Sequence, residues 1–386
     1  MNPVTLAKGV QTMADPSLLF PAWDPIPLPA PVGLFKFLHV LTLSLHFGAL
    51  QLLLGGLALA TLWNLAGSLL KSAGATQASG TVVRKLSIVT TYVINFGVPP
   101  LLFSQILYGR ALYTSSVLMG AWWISVVFLV MAAYALLYRM AKLAELNRTW
   151  WPLGMLAFAL FAVVGRLFST NMTLMLTPEV WKAMYAATAS GIHLPPYDPT
   201  VWPRFAVIFL GAASLGALGT SLWSGLSSAP ETGRVFLRRW SAISATVCLP
   251  LLAAAGWWAY TMQPDSVRVG LATPLNHLLT QAWLGALALA FSAAVGLLAT
   301  AKSRSLWIPS LGAVAAFAAT ALWTILRDIV RDLTLRPKGL DVWASPVHAN
   351  WLVVGIFLAS LVGGIALVVW LLVVVHRAAP LEKIHV

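Results

Sequence analysis

The chain contains one cysteine, Cys248, in 386 residues. An intramolecular disulfide, a CxxCH covalent haem attachment and a cysteine-ligated iron–sulfur cluster are therefore excluded within it. Charge is nearly as scarce, at 9% of residues, and only 11 side chains are acidic. Each of these can be placed in a loop or at the end of an apolar run. Proton pumps and cation-coupled transporters usually carry a carboxylate at membrane depth, so this distribution argues against those classes, although backbone carbonyls could still bind Na⁺. The sequence also has no Walker loop, no nucleotide fingerprint and no polar stretch long enough to form a separate domain. Residues 1–30 lack the basic start, compact apolar stretch and small-residue cleavage site of a signal peptide.

Hydrocarbon is what the chain has in abundance. It is 59% hydrophobic, with a mean hydropathy of +0.84. It repeatedly offers apolar runs of about 20 residues, enough to cross a hydrocarbon layer of about 30 Å. Nine such runs lie between charged or proline-rich breaks: 35–66, 86–107, 116–138, 151–174, 203–226, 240–262, 275–300, 306–327 and 350–376. The expected fold class is all-α, a polytopic integral membrane helix bundle of about nine transmembrane helices.

The basic residues set an expected orientation. With the N-terminus outside, Lys71, Arg84, Lys85, Arg139, Lys142, Arg148, Arg234, Arg238, Arg239, Lys302, Arg304, Arg377 and Lys383 fall inside. The short outside connections around Arg110 and Arg268 hold one basic residue each. This alternation favours an N-out, C-in multi-pass protein of the bacterial inner membrane. The formal charge of +13 then reflects cytoplasmic anchoring, and no soluble basic domain exists to bind nucleic acid. The layout divides into a periplasmic arm over 1–34, stiffened by prolines between Pro21 and Pro31, a bundle over 35–376, and a cytoplasmic tail over 377–386. Within the bundle, the outer connection 175–202 opens with Thr177-Pro178-Glu179-Val180-Trp181, the pattern of a short interfacial helix. A second outer feature, 327–349, carries Arg327-Asp328-x2-Arg331-Asp332. Charges alternating at helical spacing read as a self-paired extension of the eighth span above the membrane.

Polar groups inside the apolar runs gather toward the outer half. Five of the seven histidines, His39, His46, His193, His277 and His348, fall on that side. His39 and His46 are seven residues apart, which returns to nearly the same helix face about 10.5 Å further along. The two cannot ligate one metal ion or clamp one haem from a single helix, so each would need a partner elsewhere, with His277 or His348 available. For either alone, a packing histidine bonded to a neighbouring carbonyl is the simpler reading; for the pair with His277, ligation of haem iron is the preferred one. Arg166, about two-thirds along the fourth span, would meet an anion such as a haem propionate or a semiquinone, or snorkel to lipid headgroups. Gln51, Asn95, Gln105, Asn171 and Gln281 are candidates to orient quinone oxygens. In Tyr92-x2-Asn95-Phe-Gly-Val-Pro99-Pro100 the prolines leave carbonyls near Asn95 and Phe96 without their helical donors, so a bend is expected, as a site wall or as a plain kink.

Known redox signatures are missing: neither the paired histidines of cytochrome b, nor the six-histidine set of haem–copper oxidases, nor a tryptophan-rich haem-handling motif is present. In helix number, scarcity of buried acids and an outer polar cluster, the chain resembles the polytopic quinone-interacting subunits of bacterial respiratory complexes, of the polysulfide-reductase membrane-anchor type. That resemblance covers the whole chain and brings no residue assignment. It implies an electron-transfer subunit that oxidises menaquinol or ubiquinol near the periplasmic face and passes electrons to a periplasmic cytochrome or iron–sulfur subunit, with one b-type haem as the candidate cofactor. A transporter built on the broken second helix, and a non-catalytic scaffold subunit, are the alternatives.

Overall fold

A computed structural model describes residues 19–21, 26–226 and 230–377. Most of the expected arm and nearly all of the expected tail lie outside these. Among the described residues the chain is all-helical apart from one parallel bridge between Leu28 and Val347. The principal helices are α1 (Val32–Leu69), α2 (Ala73–Leu118), α3 (Gly120–Glu145) and α4 (Trp151–Met175), then the short α5 (Trp181–Ala187). The next span is α6 (Val201–Gly211), a π-helical turn (Ala212–Gly216), α7 (Ala217–Ser221) and α8 (Trp223–Leu226). After it come α9 (Glu231–Thr261), the short α10 (Asp265–Leu271), α11 (Pro274–Ala299), α12 (Trp307–Leu335) and α13 (Trp351–Arg377).

Eight helices are long and apolar enough to cross a membrane, and α13 runs 27 residues beyond them. The protein is a multi-pass membrane protein by these lengths and hydropathies. Its surface agrees, because Ile124, Val127, Phe128, Met131 and Tyr138 of α3 are all exposed, a face that water would not tolerate in such density.

The helices α1 and α2 pack along one another. At 46 residues, α2 would span about 69 Å if straight, far more than its apolar run over 86–107 implied. The excess lies mainly before that run, where Ser72 caps the first turn by accepting from the Ala75 amide at 3.4 Å and the helix carries Arg84 and Lys85 along with it. Helical dihedrals are interrupted at Tyr108 (φ −127°, ψ 23°), eight residues past Pro100, and not at the prolines.

Two devices fix the crossings. Gly55 of α1 meets the π-helical turn so closely that a Cβ there would run into the Ala212 carbonyl, and a Cβ on Gly216 would run into the Gln51 carbonyl. Only glycine permits that backbone approach. Nine residues further along α1, the Asn64 side-chain oxygen accepts from the Trp150 and Trp151 amides, both at 2.9 Å, satisfying donors at the start of α4. Near the α9 start, buried Arg234 and Arg238 hold the connection between α11 and α12. Arg234 donates to the Ser303 and Lys302 carbonyls at 2.7 and 3.1 Å. Arg238 donates to the Ser303 and Ser305 carbonyls and to Ser224 Oγ.

The end of the bundle where α1 begins is closed by a cluster of Phe20, Val32, Phe35, Leu107, Leu174 and Trp181, with Leu335 and Val342. The segment expected to form an interfacial helix is helical, as α5, and Trp181 donates its indole N–H to the Leu174 carbonyl at 2.8 Å. The described part of the proline-rich segment lies along residues 346–350. The Leu28 amide donates to the Pro346 carbonyl at 2.8 Å, and the His348 and Asn350 amides donate back to Leu28 and Pro29.

Candidate functional site

Beneath that cluster, α1, α2 and α12 enclose a network of ionisable side chains. Lys36 Nζ lies 2.6 Å from Asp328 Oδ2 and 2.6 Å from Asp332 Oδ2, and donates to the Tyr108 hydroxyl at 2.6 Å. Tyr108 donates to Asp332 Oδ1 at 2.6 Å. Arg331 reaches Asp328 Oδ1 at 3.4 Å and His39 Nε2 at 3.0 Å, with its guanidinium 4.6 Å over the Tyr108 ring. All but Asp332 are buried: Tyr108 is 0% exposed, His39 1%, Arg331 2%, Lys36 6% and Asp328 6%. Two cations face two carboxylates, so the set is charge-balanced, as burial demands.

The break at Tyr108 lies where its phenol meets this set. The Asp328–Arg331 pair is indeed made within α12, at the three-residue spacing read from the sequence. The stretch is nevertheless not a free extension: Asp328 and Arg331 are buried against α1 and α2, and the nearest counter-ion of Asp328 is Lys36, 292 residues away. Helical spacing alone marks an i, i+3 pair and a buried face equally well, and cannot reveal so distant a partner. The carboxylate of Asp328 is therefore held inside the bundle, about 31 Å along α12 from Trp307 at 1.5 Å per residue.

The two histidines of α1 bracket the Pro99-Pro100 segment. His39 Nδ1 lies 3.1 Å from the Pro100 carbonyl and His46 Nδ1 2.9 Å from the Val93 carbonyl. A carbonyl can only accept, so Nδ1 carries the proton in both, leaving Nε2 as the acceptor nitrogen. In His39 that nitrogen faces Arg331. In His46 it has no hydrogen-bond partner among the described residues, and the ring rests against Gly97, where a Cβ would lie 3.1 Å from it. The carbonyl-bonded packing histidine is thus what the structure shows for both, with an open nitrogen on His46 alone.

The remaining candidates are dispersed. His277, exposed near the start of α11, bonds Gln281 on its own helix at 3.0 Å. His348 is exposed beside Leu28, and His193 bonds the Thr188 carbonyl at 2.7 Å. No two of these histidines share a hydrogen-bond partner, and among the described residues no group of three or more His, Cys, Asp or Glu side chains could hold a metal ion. Gln51 accepts from Thr320 at 2.7 Å between α1 and α12. Asn171 reaches Ser116 at 3.4 Å, with its side-chain oxygen buried and unpartnered. Asn95 is exposed and Gln105 half-buried on α2. Arg166 stacks its guanidinium 5.7 Å over Trp202, and its Nη1 is buried without a hydrogen-bond partner.

Reading the sequence missed Lys36, Tyr108 and Arg204 as site residues. A lysine at the second position of the first apolar run was the available signal, since burying an ammonium there requires a counter-ion from another helix. No protein-family model matches the chain, and no curated protein is significantly similar to it.

Proposed function

We propose that this chain is an integral membrane electron-transfer subunit that oxidises quinol near the end of the bundle where α1 begins, on the periplasmic side of the bacterial inner membrane. The observation that carries this reading is His46. Its Nδ1 proton is fixed on the Val93 carbonyl, so its Nε2 lone pair, which has no hydrogen-bond partner among the described residues, is left as a ready acceptor for a quinol hydroxyl proton. The neighbouring Lys36–Asp328–Asp332–Arg331 network, being charge-balanced and rigid, holds α1, α2 and α12 in register around it. A b-type haem would need an axial nitrogen; His46 Nε2 is the one α1 histidine nitrogen left open for that, so haem ligation and quinol binding compete for the same atom. Electrons would leave to a periplasmic cytochrome or iron–sulfur partner.

A dithionite-reduced minus oxidised spectrum of the purified chain, with a pyridine haemochrome assay, decides the haem. Quinol oxidation by membranes carrying His46→Ala decides the site: activity should fall at least tenfold at normal expression, and unchanged activity sinks the assignment.

The buried Asp328 carboxylate favours one rival, ion-coupled transport, because it supplies the buried acid that such proteins use. Proton uptake by proteoliposomes holding only this chain, abolished by Asp328→Asn, would select that rival.

A further inference from the structure

Beside the balanced network lies an unbalanced one. Arg166 of α4 stacks over Trp202, two residues from Arg204 on α6, Arg204 reaches back to α4 at Thr173, and Arg327 of α12 lies near enough to feel the charge of Arg204. Arg204 donates from Nε to the Thr200 carbonyl at 3.1 Å and from Nη2 to Thr173 Oγ1 at 2.6 Å. Its one carboxylate, Asp198, is 3.9 Å away. Arg327 lies over the Phe47 ring at 5.4 Å and makes no hydrogen bond or ion pair among the described residues. Arg166 has its ring contact with Trp202 and a buried, unpartnered Nη1. Arg331 and Asp328 of the adjacent Lys36 network also act on Arg327, so the joined set holds five cations, Lys36, Arg166, Arg204, Arg327 and Arg331, against three carboxylates, Asp198, Asp328 and Asp332. Cations partly withdrawn from water and left in excess are unfavourable without a counter-anion, so this arrangement is incomplete as it stands.

We propose that Arg166, Arg204 and Arg327 bind the oxyanion head of a membrane-resident amphiphile. Planar guanidiniums match the paired oxygens of a phosphodiester or a carboxylate. The body of the ligand has a matching surface: Trp202, Phe205, Phe209 and Phe158 form a continuous ring contact along α6 and onto α4, with centroid separations of 6.4, 4.7 and 5.7 Å. Trp202 is 56% exposed, so this aromatic surface is open at the side of the bundle. Arg166 was expected from the sequence to meet an anion; Arg204 and Arg327 complete the set. The inference goes beyond the redox reading and needs no electron transfer.

The test is native mass spectrometry of the purified full chain, with total phosphorus, for the wild type, Arg327→Gln, Arg327→Lys and Arg166→Gln. About one acidic ligand per chain should survive purification of the wild type and of Arg327→Lys, and fall at least tenfold in Arg327→Gln. Phosphorus with the mass of an intact phospholipid identifies a lipid headgroup; an acidic mass without phosphorus identifies a carboxylate-bearing cofactor. If Arg327→Gln fails to fold, the partly exposed Arg166→Gln carries the same expectation. Melting in nanodiscs of dioleoylphosphatidylglycerol against dioleoylphosphatidylcholine adds a sign test. An oxyanion site predicts that the wild type gains more from the anionic lipid than Arg327→Gln does, or, for a cofactor, that stripping it lowers the wild-type melting point. No retained anion, together with a higher melting point for Arg327→Gln through relief of repulsion, overturns the proposal. A flat optical spectrum with a bound oxyanion would sink only the redox reading.

Discussion

Replacing Lys36 by Met leaves Asp328 and Asp332 facing Arg331 alone, one buried negative charge in excess. Breaking a buried pair in this way typically costs about 3–5 kcal/mol. Replacing Asp328 by Asn leaves the opposite excess, since Arg331 then keeps only the neutral His39 and the Tyr108 ring, and its cost should be of the same order. The double variant restores the balance, with Arg331 and Asp332 remaining. Because Asp332 also touches Lys36 at 2.6 Å, the cancellation is partial, and the two substitutions together should cost less than their sum by about 1–3 kcal/mol, the range seen for directly coupled sites. Reversible unfolding in mixed micelles, followed by circular dichroism for the four proteins of the cycle, gives that coupling energy. Additivity within about 0.5 kcal/mol, the value for independent sites, would show that Lys36 and Asp328 do not meet, and the network would be wrong in its central contact.

Other consequences follow from separate parts of the bundle. Gly216→Ala pushes a Cβ into the Gln51 carbonyl at the α1 crossing, and overpacking should cost at least about 1–3 kcal/mol, read as lost monodisperse protein in size-exclusion chromatography; Gly285→Ala, with open space around it, is the control and should be neutral. Arg238→Met orphans the Ser305 carbonyl, while Ser303 keeps Arg234 as its donor; the loss should cost about 1–3 kcal/mol and should accelerate tryptic cleavage at exposed Lys302 and Arg304. Asn64→Leu removes the acceptor for two amides at the α4 start and should lower the melting point, whereas Asn95→Leu, exposed on helical backbone of α2, should not.

Much of the architecture was legible because a bilayer imposes simple arithmetic. Apolar runs of about 20 residues located eight membrane-length helices, and Thr177-Pro178 opening into Trp181 located α5. Positions where the chain exceeds or breaks those runs were harder. The 46 residues of α2 include Arg84 and Lys85, which interrupt an apolar run without interrupting a helix, since both are good helix formers. The site was legible only in fragments. His39 and His46 stood out by residue type, but their partners are backbone carbonyls 61 and 47 residues away, which carry no side-chain signature at all. Lys36 and Asp328 form a pair only once α12 has been laid against α1.

The histidine spacing itself is explained by that packing. Pro99 and Pro100 lack the amides that would bond the Asn95 and Phe96 carbonyls, and the α1 histidines bond carbonyls flanking those two positions. Two donors seven residues apart on one face of α1 reach Pro100 and Val93, which are likewise seven residues apart on α2. Equal spacing on two adjacent helices is the geometry of a staple. Such a staple fixes both imidazoles in one tautomer and orientation, and it turns a different Nε2 environment on each: a guanidinium for His39, and no partner for His46. Under the proposed redox reading His46 is the histidine free to react, since His39 already holds the Pro100 carbonyl and Arg331. Replacing His39 should therefore cost stability first, and replacing His46 should cost activity first.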